Sequence, residues 1–244
     1  MTKILIISDI HSNLTALEAV LAEACNFDET WCLGDIVGYG PDPNECVARI
    51  QGLPKLTCLM GNHDLACSGS LPLDAFNNDA RSSLLWQKEI LNQESLVFLN
   101  SLPPEAVTLS EATLAHGSPR DSIWEYILNT LVARLNMASI QTPWCFVGHS
   151  HFQVVFQYYA DQDSYDIITP EAGARYDLKD RAVLNPGSVG QPRDRNPKAA
   201  YAFFYPEAHI WEPHRVSYDI PAVQKRILAV GLPARHAERL SDGT

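Results

Sequence analysis

Five short stretches of this sequence combine carboxylate, amide and imidazole side chains in a pattern suited to holding metal ions. They are Ser8-Asp9-Ile10-His11, Gly34-Asp35, Gly61-Asn62-His63-Asp64, His116-Gly117 and Gly148-His149-Ser150-His151. In Asp-x-His and His-x-His, residues two apart on an extended backbone project the same way, so both side chains reach one point. Glycines before Asp35, Asn62 and His149 let the backbone turn sharply and approach an ion closely. A donor set without thiolate suits Mn, Fe, Zn, Co or Ni better than a structural zinc site or an all-oxygen calcium site. Taken singly, each stretch is ordinary: a Gly-Asp is usually a turn, and a lone His among apolar residues is usually core. Order and placement set these five apart.

That placement comes from the elements around them. Lys3–Ser8 is a β-branched run ending in the first stretch, Thr30–Leu33 ends in the second and Leu56–Met60 in the third. Glu111–Ala115 and Trp144–Val147 end in the last two. Leu14, Leu17, Val20, Leu21 and Ala24 recur at helical spacing behind Asn13, a natural cap, and Pro43–Ile50 reads as a short helix. The order β-α-β-α-β predicts a layered α/β domain. Ligands gather beyond the carboxyl ends of strands in such sheets, so a single sheet would bring all five loops to one spot.

Asn78–Asn100 reads as one helix that Pro103-Pro104 ends, and a further helix is expected near Thr130–Ser139. Beyond residue 150 the character changes to short strands at Gln153–Tyr159, Tyr165–Ile168, Arg181–Leu184, Ala199–Tyr205, Ala208–Trp211 and Arg215–Tyr218. Polar turns join them, which points to a second, largely antiparallel sheet. Pro221–Val230 is expected as a terminal helix and Gly231–Thr244 as a weakly constrained tail. No repeat or Gly/Ser linker divides residues 1–244, so one domain with two facing sheets is expected.

Composition narrows the partners. With 18 Lys and Arg against 29 Asp and Glu, the formal charge is −11, which disfavours a general nucleic-acid groove. It leaves room for a small phosphate ester, because bound divalent cations would dominate the local field. The apolar run at Ile4–Ile7 is too short for a signal peptide. Residues 135–160 lack acidic and basic side chains but carry Pro143, His149, His151 and several amides, so no membrane span is expected there. Six cysteines form no Cys-x-x-Cys, and free thiols in a reducing cytoplasm are the expectation, with the role of Cys67 open.

Together these stretches resemble the calcineurin-like metallophosphoesterase family, whose blocks are D-x-H, G-D, G-N-H-D/E, a lone His after a strand, and G-H-x-H. All five are present in family order across residues 9–151. Gly34-Asp35-Ile36-Val37-Gly38-Tyr39-Gly40 and Asn185-Pro186-Gly187-Ser188-Val189-Gly190 resemble a bacterial branch related to diadenosine tetraphosphatases. The resemblance implies a four-layer α/β/β/α sandwich with two facing mixed sheets. It implies two divalent or trivalent transition-metal ions: Asp9, His11 and His151 on the first, Asn62, His116 and His149 on the second, and Asp35 bridging them.

The activity it implies is hydrolysis of phosphodiester or phosphoanhydride bonds in small, nucleotide-like substrates by a metal-bridging hydroxide. The expected catalytic residues are Asp35, as bridge, and His63, which would protonate the leaving alkoxide or clamp a phosphoryl oxygen. Nearby dications disfavour imidazolium, so an acid role requires a carboxylate partner for His63, with Asp64 and Asp9 the two choices. The Ser/Thr protein phosphatases of the family read G-D-x-x-D-R-G, and here Gly38 and Tyr39 replace the Asp-Arg pair. Tyr39, Arg120, Arg193 and Arg195 are the candidates for substrate contact in its stead. The competing readings are a phosphomonoesterase or protein phosphatase, and a non-catalytic nucleotide-binding regulator on the same fold. The filled ligand positions argue against the regulator. Oligomeric state is not legible.

Overall fold

A computed structural model describes residues 1–244. It begins with β1 (Ile4–Ile7), α1 (Leu14–Ala24), β2 (Glu29–Cys32), α2 (Pro43–Gln51) and β3 (Leu56–Cys58). Asn13 caps α1 through its side chain, which accepts from Ala16 N at 3.1 Å. Three helices follow: α3 (Asn62–Cys67), α4 (Asn78–Ile90) and α5 (Gln93–Ser101). The expected single helix over 78–100 is therefore two. The break falls at Leu91, with ψ 123°, and Asn92 restarts the chain as a cap accepting from Ser95 N at 2.8 Å.

Next come β4 (Val107–Thr108), β5 (Ala112–Ala115), α6 (Thr130–Ala138), β6 (Trp144–Val147), β7 (Gln153–Tyr159) and β8 (Ser164–Ile168). The chain closes with β9 (Tyr176–Asp177), β10 (Ala182–Pro186), β11 (Ala199–Tyr205), β12 (Ile210–Val216), α7 (Ile220–Ala229) and α8 (Ala234–Asp242). β12 replaces two expected strands and runs through Pro213. The Pro213 carbonyl accepts from Gly173 N at 2.7 Å, so both polar positions of Pro213 point away from β11 and its missing N–H removes no bond from that ladder.

The strands form two mixed sheets of six, in the orders β3-β2-β1-β11-β12-β9 and β4-β5-β6-β10-β7-β8. Strands beyond residue 150 do not make a sheet of their own, as the sequence suggested. β9, β11 and β12 extend the first sheet, with β11 pairing antiparallel to β1, whereas β7, β8 and β10 extend the second, with β10 beside β6.

Alternation along the strands builds the layers. Leu5 and Ile7 pack with Leu17, Val20 and Val47 of α1 and α2, while Ile4 and Ile6 join Trp31, Leu114, Phe146 and Phe204 between the sheets. Cys145 and Val147 face the other way, onto Ala133 and Met137 of α6. Helices, sheet, sheet and helix thus stack as an α/β/β/α sandwich, each interface closed by apolar side chains.

The expected loose tail is a folded element. Ala237 and Leu240 of α8 pack on Val223 and Ile227 of α7, and Gly243 ends the helix in the left-handed conformation at φ 65°. All six cysteines are free; Cys25 is exposed and the rest, Cys67 included, are buried. No helix is long and apolar enough to cross a membrane.

Candidate metal centre

The five ligand loops do not come from one sheet. Those after β1, β2 and β3 leave the first sheet, and those after β5 and β6 leave the second. They converge because parallel pairing within each sheet sends its carboxyl ends to the same rim of the sandwich. Cross-sheet hydrogen bonds lock the rims together: His149 N donates to Asp9 Oδ2 at 3.1 Å, and Val189 N, after β10, to Ser8 O, after β1, at 3.0 Å.

Local backbone geometry aims the side chains. Asp9, His11, Asp35, His149 and His151 all lie in the left-handed region, with φ of 53°, 47°, 54°, 61° and 61°. Each such residue costs about 1–3 kcal/mol, and Asp and His are among the side chains that tolerate it best. Surrounding bonds hold the strain in place, including His11 N to Asp35 O at 3.0 Å and Gly190 N to Asp9 O at 3.0 Å. Gly61 is required for close approach: a Cβ there would stand 2.1 Å from Asp35 Oδ1.

Backbone carbonyls fix three imidazoles in the metal-binding tautomer. Nδ1 of His11 donates to Val37 O at 3.0 Å, that of His116 to Leu33 O at 2.9 Å, and that of His151 to Gln191 O at 2.6 Å. Each Nε2 is then left with its lone pair facing the site. His11 Nε2 and His151 Nε2 lie 3.1 Å apart, and Asp9 Oδ1 lies 3.8 and 3.3 Å from them. His116 Nε2 lies 3.1 Å from Asn62 Oδ1. Between the two groups sits Asp35 Oδ2, 3.6 Å from His11 Nε2 and 3.4 Å from His116 Nε2.

The carboxylates divide their labour. Asp35 Oδ1 accepts from His63 N at 2.8 Å and Asp9 Oδ2 from His149 N, while Asp9 Oδ1, Asp35 Oδ2 and His149 Nε2 are buried without a protein hydrogen-bond partner. Buried acceptors converging without donors repel one another unless a cation sits among them. The donor set therefore fits metal binding, with Asp9, His11 and His151 as one cluster and Asp35, His116 and His149 as another.

Electrostatics agree. Burial holds His11, His149 and His151 well below the ordinary imidazole value, which keeps them neutral, as ligands must be. Burial pushes Asp9 up to about 7. Burial also opposes charge at Asp35, but His116 and His63 outweigh it and hold that carboxyl well below its usual range. Against the effect of its own burial, Asp35 raises His116 to about 9, so positive charge is favoured beside Asp35 in the form of a proton or a metal in its place.

His63 is buried among Tyr39, His11 and Phe76, with ring centroids 4.4, 4.9 and 5.0 Å away. Its Nδ1 finds no partner, and burial pushes the ring down to about 4. Neither expected carboxylate hydrogen-bonds it. Asp64 accepts instead from Val37 N and Gly61 N, both at 3.0 Å, and Asp9 is used as described.

Tyr39 and Arg193 line the cleft over Asp35, Asn62, His63, His149 and His151. Arg120 does not; it pairs with Glu125 at 3.6 Å away from the cleft. Arg195 lines a separate apolar hollow with Phe152 and Ile127. Sequence reasoning missed several contributors. Arg235 and Arg239 of α8 reach the same cleft, as do Phe76, Trp124 and Tyr126. Gln87 is buried beneath it, accepting from Gly38 N at 2.6 Å and donating to Ser12 Oγ and Gly40 O at 2.9 and 2.8 Å. Its signal was visible: Gln87 stands at helical spacing between the apolar Leu84 and Leu91.

Comparison with known proteins places this geometry. The family model described as calcineurin-like phosphoesterase superfamily domain matches residues 2–208. An uncharacterised protein of Methanocaldococcus jannaschii is 39% identical over 244 residues, covering 97% of this chain and 96% of the relative. A metallophosphoesterase crystal structure from Sphaerobacter thermophilus is 44% identical with a TM-score of 0.90, over 100% of this chain and 99% of that one. A hypothetical protein from Pyrococcus horikoshii shares the fold at 21% identity, with a TM-score of 0.81 over 100% of this chain and 99% of the other.

Proposed function

The chain belongs to the calcineurin-like phosphoesterase superfamily, and from that footing we propose that it is a dinuclear metal-dependent hydrolase of small phosphodiesters or phosphoanhydrides. The observation that carries this reading is the approach of two imidazole nitrogens, His11 Nε2 and His116 Nε2, from two sides to one buried carboxylate oxygen, Asp35 Oδ2. Asp9, His11 and His151 would hold one ion, Asn62, His116 and His149 the other, and Asp35 both. Two such ions supply Lewis acidity, activating water and neutralising phosphoryl charge.

The chain's own groups do the rest. Carbonyls of Leu33, Val37 and Gln191 orient the imidazoles. His63 lines the cleft, and its Nδ1 abuts Gly38, where an added Cβ would stand 2.4 Å away, so Nε2 is left for the substrate. With no carboxylate to sustain an imidazolium, neutral His63 clamps a phosphoryl oxygen through Nε2–H rather than delivering a proton. Arg193, steadied by Tyr39 Oη at 3.2 Å and Gln191 Oε1 at 3.0 Å, provides the cationic contact that the absent Asp-Arg pair provides in protein phosphatases. The cleft measures about 310 Å³, which suits a small ligand rather than a polymer.

The test is hydrolysis of bis- and mono-p-nitrophenyl phosphate by the full chain loaded with Mn, Fe, Co, Ni or Zn. Metal-dependent turnover of the diester supports the reading; no turnover of either ester with any of the metals overturns it.

A further inference from the structure

Residues 234–242 lie outside the stretch matched by the family model, yet they form a wall of the cleft. α8 is seated by its apolar face on α7 and by His236, which is buried against the Tyr39 ring with centroids 4.9 Å apart. His236 Nε2 also donates to Asp79 O at 3.0 Å. This seating turns Arg235 and Arg239, four residues and about one turn apart, toward the cleft that Arg193 also lines. A second hollow of about 370 Å³ adjoins the first and shares Tyr39, Asn77, Arg235 and Arg239 with it.

Three guanidiniums thus face one space. Several other arginines of this acidic protein pair with carboxylates, such as Arg120 with Glu125, Arg175 with Glu212 and Arg226 with Asp42; none of the three pairs with an Asp or Glu side chain. Asp79 lines the adjoining hollow without forming an ion pair to Arg235 or Arg239. Arg193 keeps its Nε buried and unpartnered, and Arg239 donates through Nε to the main-chain oxygen of Thr244, leaving its terminal nitrogens free. Burial pushes Arg239 down to about 10, and the nearby Arg193 and Arg235 add to it. Such an arrangement is stabilised by an anion with several oxygens, and guanidinium forks match phosphate in geometry.

We infer that α8 supplies a second-phosphate subsite, in which Arg235 and Arg239 with Arg193 hold the phosphate next in series to the one over Asp35 and His149. The cleft then selects ligands with two or more phosphates in series over those with one. This rests on the phosphoesterase reading above, which assigns the first phosphate to the metal centre.

Calorimetric titration of the full chain with orthophosphate and with inorganic triphosphate, at one fixed free manganese concentration, tests it. Triphosphate is expected to bind at least ten-fold more tightly. Arg235→Gln with Arg239→Gln is expected to weaken triphosphate ten-fold or more while changing orthophosphate less than three-fold, and the paired lysine replacements should restore part of the loss. Arg235 is exposed, so Arg235→Gln alone, with an expected three-fold loss for triphosphate, decides the matter if the double variant does not fold. Equal affinity of the native protein for both anions, or equal loss for both in the variants, overturns the subsite. Absence of turnover on any ester would sink the phosphoesterase reading, whereas the difference between the two anions reads the subsite separately.

Discussion

Asp35 Oδ2 lies 3.4 Å from His116 Nε2, although the strands that deliver them, β2 and β5, belong to different sheets. The candidate centre is therefore a seam, closed only when both sheets are packed, and any metal held there would report on that packing. Metal binding and sandwich stability should be linked.

Saturating manganese is expected to raise the thermal midpoint. At a hundred times its dissociation constant a ligand contributes about 2.7 kcal/mol, which is roughly 5–11 °C for a chain of this size. Asp35→Asn should forfeit most of that gain because it removes charge shared by both clusters. Differential scanning fluorimetry with and without chelator measures this, and an equal gain in the variant would argue against Asp35 as the shared ligand.

Gly61→Ala tests how tightly the loop after β3 presses on that carboxylate. Its φ of −91° is open to any residue, so the effect is steric: the new Cβ would overlap Asp35 Oδ1. Displacing the carboxylate should lower kcat a hundred-fold or more at an overpacking cost of about 1–3 kcal/mol. Activity within three-fold of the native chain would show that Asp35 tolerates the shift.

His63→Ala separates clamping from proton delivery. A clamp through Nε2–H predicts similar losses for esters with good and poor leaving groups, because phosphoryl contact is lost in both cases. Proton delivery predicts a loss concentrated in the poor leaving group. Parallel kcat/KM measurements on p-nitrophenyl and alkyl phosphodiesters decide between them.

Gln87→Leu addresses the support under the loop that carries Tyr39. The substitution leaves Gly38 N, Ser12 Oγ and Gly40 O without their partner in a buried setting. An unsatisfied buried group costs about 1–3 kcal/mol, so a loss on the order of 3 kcal/mol is expected in urea denaturation. A change below 0.5 kcal/mol, on the order of a neutral surface substitution, would contradict this support role.

The candidate ligand loops were legible because strand ends are local: Asp9, Asp35 and His149 each follow an apolar run within a few residues. The allocation of strands to sheets was not. Ile4, Leu5, Ile6 and Ile7 are all buried, so both faces of β1 read alike and nothing local shows that its antiparallel neighbour is β11, near residue 203. The break at Leu91 was hidden by continuing apolar spacing, although Asn92 carried a cap signal. α8 was missed because Gly231–Thr244 was expected as a weakly constrained tail, and the helix takes its seat from residues distant in sequence, among them Tyr39, Asp79 and Trp86. Of the two carboxylates considered for His63, Asp64 rested on sequence adjacency, which the turn at Gly61 defeats by pointing it back to the backbone, and Asp9 turns to His149 N.

The most direct measurement is anomalous diffraction from crystals of the full chain grown with manganese. Two peaks about 3.5–4 Å apart are expected, as in two-metal hydrolases, both contacting Asp35, with Asp9, His11 and His151 on one and Asn62, His116 and His149 on the other. A single peak under saturating metal, or two peaks with Asp35 contacting neither, would contradict the dinuclear reading.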